Sequence, residues 1–301
     1  MSAAYPALLF KYLPPARADI FETGKLCFSH RRALNDPLEF HFDLGSRARF
    51  LAGVEEGLAE LSTDKLAMVE RVLTEHPKLL KVIGDSPPEN RAALRENLRA
   101  RLLATDVRLP SIEEVEAAAE GMLREHDDTA RPELVKMMED LFRIFSCTEN
   151  GMCVPMWTHY TENHTGFQIA FDPAKLFNQS IENSDDLKLR PVAYSDVAYV
   201  VSQDESFAFT HQKMADWAYE KEWRYVRTMP ESEQEAEICL VDFKVDAIRE
   251  VTFGLQATEE TVTRISSAMA ARGCTAQLFR IAMGHAYRLE KTPLVAAGAN
   301  S

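Results

Sequence analysis

The chain reads as an α+β protein in which a β-rich core is interrupted by a long helical block. Three observations carry that reading. Apolar and aromatic residues alternate over short stretches near the start, in "ALLFKYL" and "KLCFSH", and again through the second half. Between these regions, from about Leu44 to Arg143, Ala, Leu, Glu and Arg recur at helical spacing. Strands segregated from helices in this way indicate α+β layering rather than regular alternation of strand and helix. The expected organisation is a split core of residues 1–43 and 144–295, with residues 44–143 inserted as an all-helical block.

The elements come in order. "ALLFKYL" predicts a first strand, "PARADIFETG" a helix closed by Gly24, and "KLCFSH" a second strand. In "LNDPLEF", Asn35 and Asp36 can fold back on backbone amides and Pro37 stiffens the chain beyond them, which predicts a turn. Four helical stretches come next, "RARFLAGVEEGLAELS", "DKLAMVERVLTEH", "ENRAALRENLRARLL" and "SIEEVEAAAEGMLREH", broken by proline at "SPPEN" and "LPS". Ser111 and Glu114 have capping-box spacing, and Ile112, Val115, Ala119 and Met122 form an apolar stripe suited to packing. Strands are then expected at "FRIFSCT", "GFQIAFD", "LRPVAYS", "KEWRYVRT", "AEICLVDF", "IREVTFG" and "AQLFRIAM", helices near "HQKMADWAY" and "EETVTRISSAMAARG", and a frayed tail at "LVAAGANS".

Composition narrows the functional classes. With 47 acidic against 34 basic residues and a formal charge of −13, the chain opposes non-specific nucleic-acid binding unless its cations are gathered in a cleft. No apolar run approaches the ~20 residues that span a bilayer, and "MSAAYPALLFKYLPP" reaches Pro14 without the long apolar region of a secretory signal. The expectation is a soluble cytoplasmic protein without a membrane partner. Its five cysteines are odd in number and scattered, which suits reduced thiols, and no bridge is expected.

The chain lacks the glycine-rich dinucleotide fingerprint, the phosphate loop, the zincin motif and the nucleophile elbow. Its densest chemistry lies in "FSCTENGMCVPMWTHYTENHTGFQIAFD", where Ser146, Thr148, Trp157, His159, Tyr160 and His164 gather just before a strand. The spacing of Cys147, Cys153, His159 and His164 is not that of a familiar zinc site, and no metal is expected. The two histidines have a plain account as structural hydrogen-bonding groups, and Trp157 and Tyr160 as core aromatics. Lys11 punctuates an apolar strand, either as a snorkelling residue at its end or as a functional cation. In "WAYEKEWRYV", strand alternation would put Glu220, Glu222 and Arg224 on one face. That is either an exposed face neutralised by Arg224 or a catalytic carboxylate with a helper.

Taken in order, "KYLPP", "KLCFSHRRALNDPLEF", "FSCTENG", "MWTHYTENHTGFQIAFD" and "WAYEKEWRYV" resemble a bacterial family known as domain of unknown function twenty-nine seventy-one. The departures are Leu13 where arginine is usual, Leu38 where an aromatic is usual, and the long helical block. The order of basic strand residue, Ser/Thr strand and Glu-x-Glu strand is in turn similar to that of ADP-ribosyltransferases. That resemblance implies a split β core of their kind, NAD as substrate, and an unidentified macromolecular acceptor. It also implies Lys11 at the basic position, Ser146 and Thr148 on the hydroxyl strand, and Glu222 with Glu220 as the catalytic carboxylates. Tyr12, Ser29, Trp157, His159 and Tyr160 complete the expected cofactor-binding set.

Under this reading Glu222 stabilises an oxocarbenium-like transition state and Glu220 orients or deprotonates the acceptor. The biological role it suggests is a toxin or phage-defence effector. Two rivals from other classes are a non-catalytic nucleotide- or protein-binding module of the same fold, and a nuclease or phosphodiesterase using His159, His164 and Glu222. The acidic balance speaks against the nuclease.

Overall fold

The computed structural model describes residues 5–63, 65–104, 110–177, 188–201, 208–236, 238–286 and 288–294. The expected frayed tail beyond Leu294 lies outside the described residues. The chain divides into two compact units, residues 1–43 with 133–301 and residues 44–132. The second division falls inside a helix, ahead of the position near 143 expected from sequence, because the last turns of that helix carry partners of the first unit. Glu139 accepts from the Arg31 guanidinium at 2.9 Å and the Arg32 guanidinium at 3.0 Å.

The elements in chain order are β1 (Leu9–Leu13), α1 (Asp19–Thr23), β2 (Lys25–Ser29) and β3 (Phe42–Asp43), followed by α2 (Ser46–Thr63), α3 (Lys65–Glu75), α4 (Pro77–Gly84), α5 (Arg91–Ala104) and α6 (Ile112–Leu141). Then come β4 (Phe142–Thr148), α7 (Val154–Tyr160), β5 (Phe167–Phe171), β6 (Arg190–Pro191), β7 (Ala193–Tyr194), β8 (Tyr199–Val200), β9 (Gln212–Lys213), β10 (Glu222–Thr228), β11 (Ile238–Asp242), β12 (Ile248–Phe253), α8 (Glu259–Ala271), β13 (Gln277–Met283) and β14 (Leu289–Pro293). The α+β class read from the sequence holds.

In the helical unit, the capping box closes as its spacing predicts. The Ser111 amide donates to Glu114 at 2.9 Å and the Glu114 amide to the Ser111 hydroxyl at 3.2 Å. Arg95 and Arg99 of α5 both reach Glu70 of α3. The stripe on α6 is only partly used: Ala119 is buried, but Met122 is 61% exposed.

The first unit is built on a ten-stranded mixed sheet in the order β11-β2-β4-β1-β5-β12-β13-β14, with β10 paired to β4 and β6 to β10. All its pairings are antiparallel except β12 with β13, the pair that α8 connects. Alternation sorts β1 between two cores. Leu9 and Leu13 join a large cluster with Phe28, Phe145, Phe167, Phe171 and Trp223, while Tyr12 joins a smaller one with Met156 and Trp157. Buried Ile265 and Met269 of α8 and Phe21 of α1 close the large cluster. The helix α1 stops at Gly24, whose φ of 69° completes a left-handed cap and whose hydrogen occupies space where a Cβ would strike the Arg272 guanidinium.

One feature of this sheet creates the site. β10 pairs with β4 over its full length, from Glu222 opposite Thr148 to Thr228 opposite Phe142. Along the other edge β4 meets β2 only at Ile144, opposite Ser29, and β1 only at Thr148, opposite Phe10. Between those two points the sheet is open.

Candidate functional site in the split of the sheet

A cavity of about 180 Å³ occupies this opening, lined by residues of β1, β2, β4, α7, the Asn35–Glu39 turn, β9 and the start of β10. Register explains which β4 and β10 side chains reach it. Arg224 lies opposite Ser146 and Glu222 opposite Thr148, so these four share one face, while Phe145, Trp223 and Tyr225 turn into the large core and Cys147, also of that core, borders the cavity.

The face expected for Glu220 is corrected by the structure. Residues Ala215–Glu220 form a 3₁₀ helix, Lys221 is left-handed at φ 44°, and β10 begins only at Glu222. The predicted helix near "HQKMADWAY" is thus a two-residue strand followed by this 3₁₀ turn. Glu220 nonetheless reaches the same cavity, because the hydroxyl of Thr148 donates to its carbonyl and pins the turn against β4.

The carboxylates and cations alternate through the site. Arg224 grips Glu222 with Nε to Oε1 at 2.7 Å and Nη2 to Oε2 at 2.9 Å, and Nη2 also pairs with Glu39. Lys213 of β9 donates to Glu222 Oε2 at 3.3 Å and to Glu220 Oε2 at 2.7 Å. The Tyr160 hydroxyl donates to Glu220 Oε1 at 2.5 Å. These groups are buried: Glu39 and Glu220 are 2% exposed, Glu222 6% and Arg224 1%. Lys213 lies over the Trp217 ring at 4.6 Å, and Arg224 Nη1 donates to the Thr210 carbonyl at 2.7 Å.

Electrostatics set Glu222 and Glu39 apart. Burial opposes the charge of Glu222, but Arg224, Lys213 and the Ser146 hydroxyl outweigh it and bring the carboxyl down to about 2. Burial raises Glu39 above the usual carboxylate range, with Arg224 only partly offsetting it. Lys213 is raised because Glu222 and Glu220 overcome its burial. The Tyr160 phenol is raised by burial and by Glu220, so it stays protonated and donates.

The remaining sequence-derived residues divide. Ser29, Tyr12 and Tyr160 line the cavity together with Lys11, Ser146, Thr148, Glu220 and Glu222. Tyr12 is fixed from behind: its hydroxyl donates to the Asn150 carbonyl at 2.7 Å and accepts from the Cys153 amide at 3.3 Å. Lys11 arrives from the opposite face of β1, through the gap, with its ammonium 5.0 Å from the Phe145 ring centroid and its basicity lowered by burial.

Two assignments are corrected. Trp157 is fully buried, edge-on to Tyr12 at 5.1 Å and parallel to His164 at 6.0 Å, and does not line the cavity. His159 is exposed and also lies outside the lining. Both changes have one cause. The seven-residue helix α7 was not expected from sequence, and its period carries Met156 and Tyr160 to the cavity, Trp157 to the small core and His159 to solvent. Sequence reasoning missed Glu39, hidden in a turn with a sufficient structural account, and Lys213, placed on an expected helix. Among the described residues, no group of three or more His, Cys, Asp or Glu side chains is arranged to hold a metal ion, and no helix is long and apolar enough to cross a membrane.

Fold and site together define an α+β protein whose split sheet encloses a buried chain of alternating carboxylates and cations. Residues 156–225, from the start of that site on α7 to the middle of β10, match the family described as protein of unknown function DUF2971, the family that the motifs resemble. No curated protein and no solved structure matches the chain.

Proposed function

We propose that the cavity is the active site of an NAD-using glycosyl-transfer enzyme of ADP-ribosyltransferase type, with a macromolecular acceptor. The observation that carries this reading is the state of Glu222. It is a buried carboxylate kept charged by Arg224 and Lys213 and braced by the Ser146 hydroxyl, in an opening between strands that also presents Tyr12 and Tyr160. Breaking the bond between nicotinamide and the ribose anomeric carbon sends the electron pair to nicotinamide and leaves an oxocarbenium-like sugar. A fixed anion beside that carbon stabilises the developing positive charge without reorganising at the moment of reaction. Tyr12 and Tyr160 border the cavity, where aromatic side chains suit a planar cationic ring. Glu220, hydrogen-bonded to Tyr160, takes the proton of the acceptor as it attacks.

The volume of about 180 Å³ is below the ~300–1,000 Å³ of whole-ligand pockets, which suits the nicotinamide–ribose end alone. A toxin or phage-defence effector is the biological role that accompanies this chemistry. A second reading, a binding module without turnover, is favoured by the commitment of both Glu222 oxygens to protein donors.

Labelled NAD incubated with the protein and a cell lysate separates the two. The catalytic reading expects release of nicotinamide and label on protein or nucleic acid, with Glu222→Gln slower by on the order of 10² to 10³. Equal rates from both proteins, or NAD binding without turnover by either, would remove it.

A further inference from the structure

Three carboxylates line the cavity, and two of them are fully engaged. Both oxygens of Glu222 accept from Arg224, and Oε2 also accepts from Lys213. Glu220 accepts from Tyr160 on one oxygen and from Lys213 on the other. Glu39 differs. It pairs with Arg224 through Oε1, and Oε2 has no hydrogen-bond partner among the described residues. A carboxylate that is 2% exposed and under-satisfied in this way is costly to keep and calls for a missing donor.

The turn before it is constructed to hold it there. Arg31 donates to the Glu39 carbonyl and to the Pro37 carbonyl, each at 2.8 Å. The Asp36 carboxylate accepts from the Leu38 amide at 2.9 Å, and the Asp36 carbonyl accepts from the Glu39 amide at 3.1 Å. Phe40, the next residue, is left-handed at φ 59° and locked edge-on against Phe209. A bulky residue in that conformation is strain stored beside a cavity.

Charge points the same way independently. Within the ion-paired cluster Glu39, Glu220 and Glu222 face two cations, Lys213 and Arg224, so one negative charge is in surplus there. Lys11, the third cation of the lining, lies over Phe145 with its basicity lowered by burial. Without Glu39 the remaining four groups pair off. Glu39 is therefore the member of the cluster that the protein's own cations do not require.

Resting on the proposed sugar-nucleotide chemistry, we infer that Glu39 is the carboxylate that meets the ligand directly, its unpartnered Oε2 accepting a hydrogen bond from a hydroxyl of a bound ribose. Glu222 supplies the fixed negative charge and Glu39 the grip on the sugar. The donor that Oε2 lacks among the described residues is the hydroxyl of the ligand.

The test compares wild type, Glu39→Gln and Glu39→Met by thermal melting and by calorimetric titration with ADP-ribose. Both variants should melt above wild type at neutral pH, since a surplus buried charge has gone, and both should bind ADP-ribose at least about tenfold more weakly. Variants that melt below wild type mark Glu39 as a structural member of the cluster and overturn the inference. So do variants that bind ADP-ribose as tightly as wild type. Should wild type itself bind neither NAD nor ADP-ribose, the sugar-nucleotide function fails, and the assignment of hydroxyl recognition to Glu39 is overturned along with it. A higher melting temperature without weaker ADP-ribose binding overturns the inference alone and leaves the function standing.

Discussion

Arg224 carries more of the site than any other side chain, because one guanidinium holds Glu222 with two hydrogen bonds and Glu39 with a third contact. Replacing it with Met leaves buried Glu39 without its cation and Glu222 with Lys213 alone, an expected loss of about 3–5 kcal/mol in denaturant unfolding. Arg224→Lys should recover only part of that, since a single ammonium cannot reproduce the planar fork. The two acids make opposite contributions to pH dependence. Glu222 is depressed from 4.5 to about 2, so its stabilisation is complete above pH 4.5 and is lost as pH falls through about 2. Glu39 is raised, so the folded state holds its proton longer and stability declines as pH climbs past the usual carboxylate range. Acid titrations of stability should therefore flatten at low pH in Glu222→Gln, while the decline on the other side disappears in Glu39→Gln. At this scale the sequence showed Glu222 and Glu220, because two acids so close together are conspicuous. It did not show Glu39 or Lys213, whose positions depend on a turn and a two-residue strand that local pattern does not specify.

Among the elements, the strands were legible because their aromatic and β-branched alternation is strong, and β1, β2, β4, β5, β10, β11, β12 and β13 all fall where it appears. α7 escaped because seven residues are too few for a helical period to stand out, and β14 because "LEKTP" is polar and mostly exposed. The loop after α7 shows what its residues are kept for. Glu162, Asn163 and His164 are successively left-handed at φ 50°, 56° and 66°, and the His164 carbonyl accepts from the Gln256 amide at 2.9 Å. A Cβ on Gly254 would lie 2.1 Å from that carbonyl oxygen, a backbone atom that cannot swing aside. Gly254→Ala should thus cost about 2 kcal/mol or more and lower the midpoint of denaturant unfolding, whereas alanine at Gly121, with open space around it, should not. Arg143 is a second device of this scale. Fully buried in β4, it donates to the carbonyls of Glu139 and Asp140 at the end of α6 and to those of Gln234 and Ala236 ahead of β11. Arg143→Met leaves those carbonyls unsatisfied and is expected to unfold the protein at lower temperature.

Across the whole molecule, the two units differ in how much core they own. The sheet unit has a large cluster of buried aromatic and aliphatic residues, whereas few described side chains of residues 44–132 are buried, Val69 and Leu73 at 1% exposure among them. A unit with little buried apolar area is the less stable one. Trp157, Trp217 and Trp223, the chain's three tryptophans, all belong to the sheet unit. On heating, far-ultraviolet ellipticity should begin to fall before tryptophan emission shifts, and coincident curves would mean that the units melt as one. The composition of the helical segment was readable from propensity alone, whereas the opening between β1 and β2 was not, since strand pairing across more than a hundred residues leaves no local trace. That opening is where the proposed function is most exposed to test. A crystal structure of Glu222→Gln bound to NAD addresses it directly. The nicotinamide ribose is expected inside the split, its anomeric carbon facing residue 222 and a hydroxyl on Glu39, and NAD bound anywhere else on the protein would contradict the proposal.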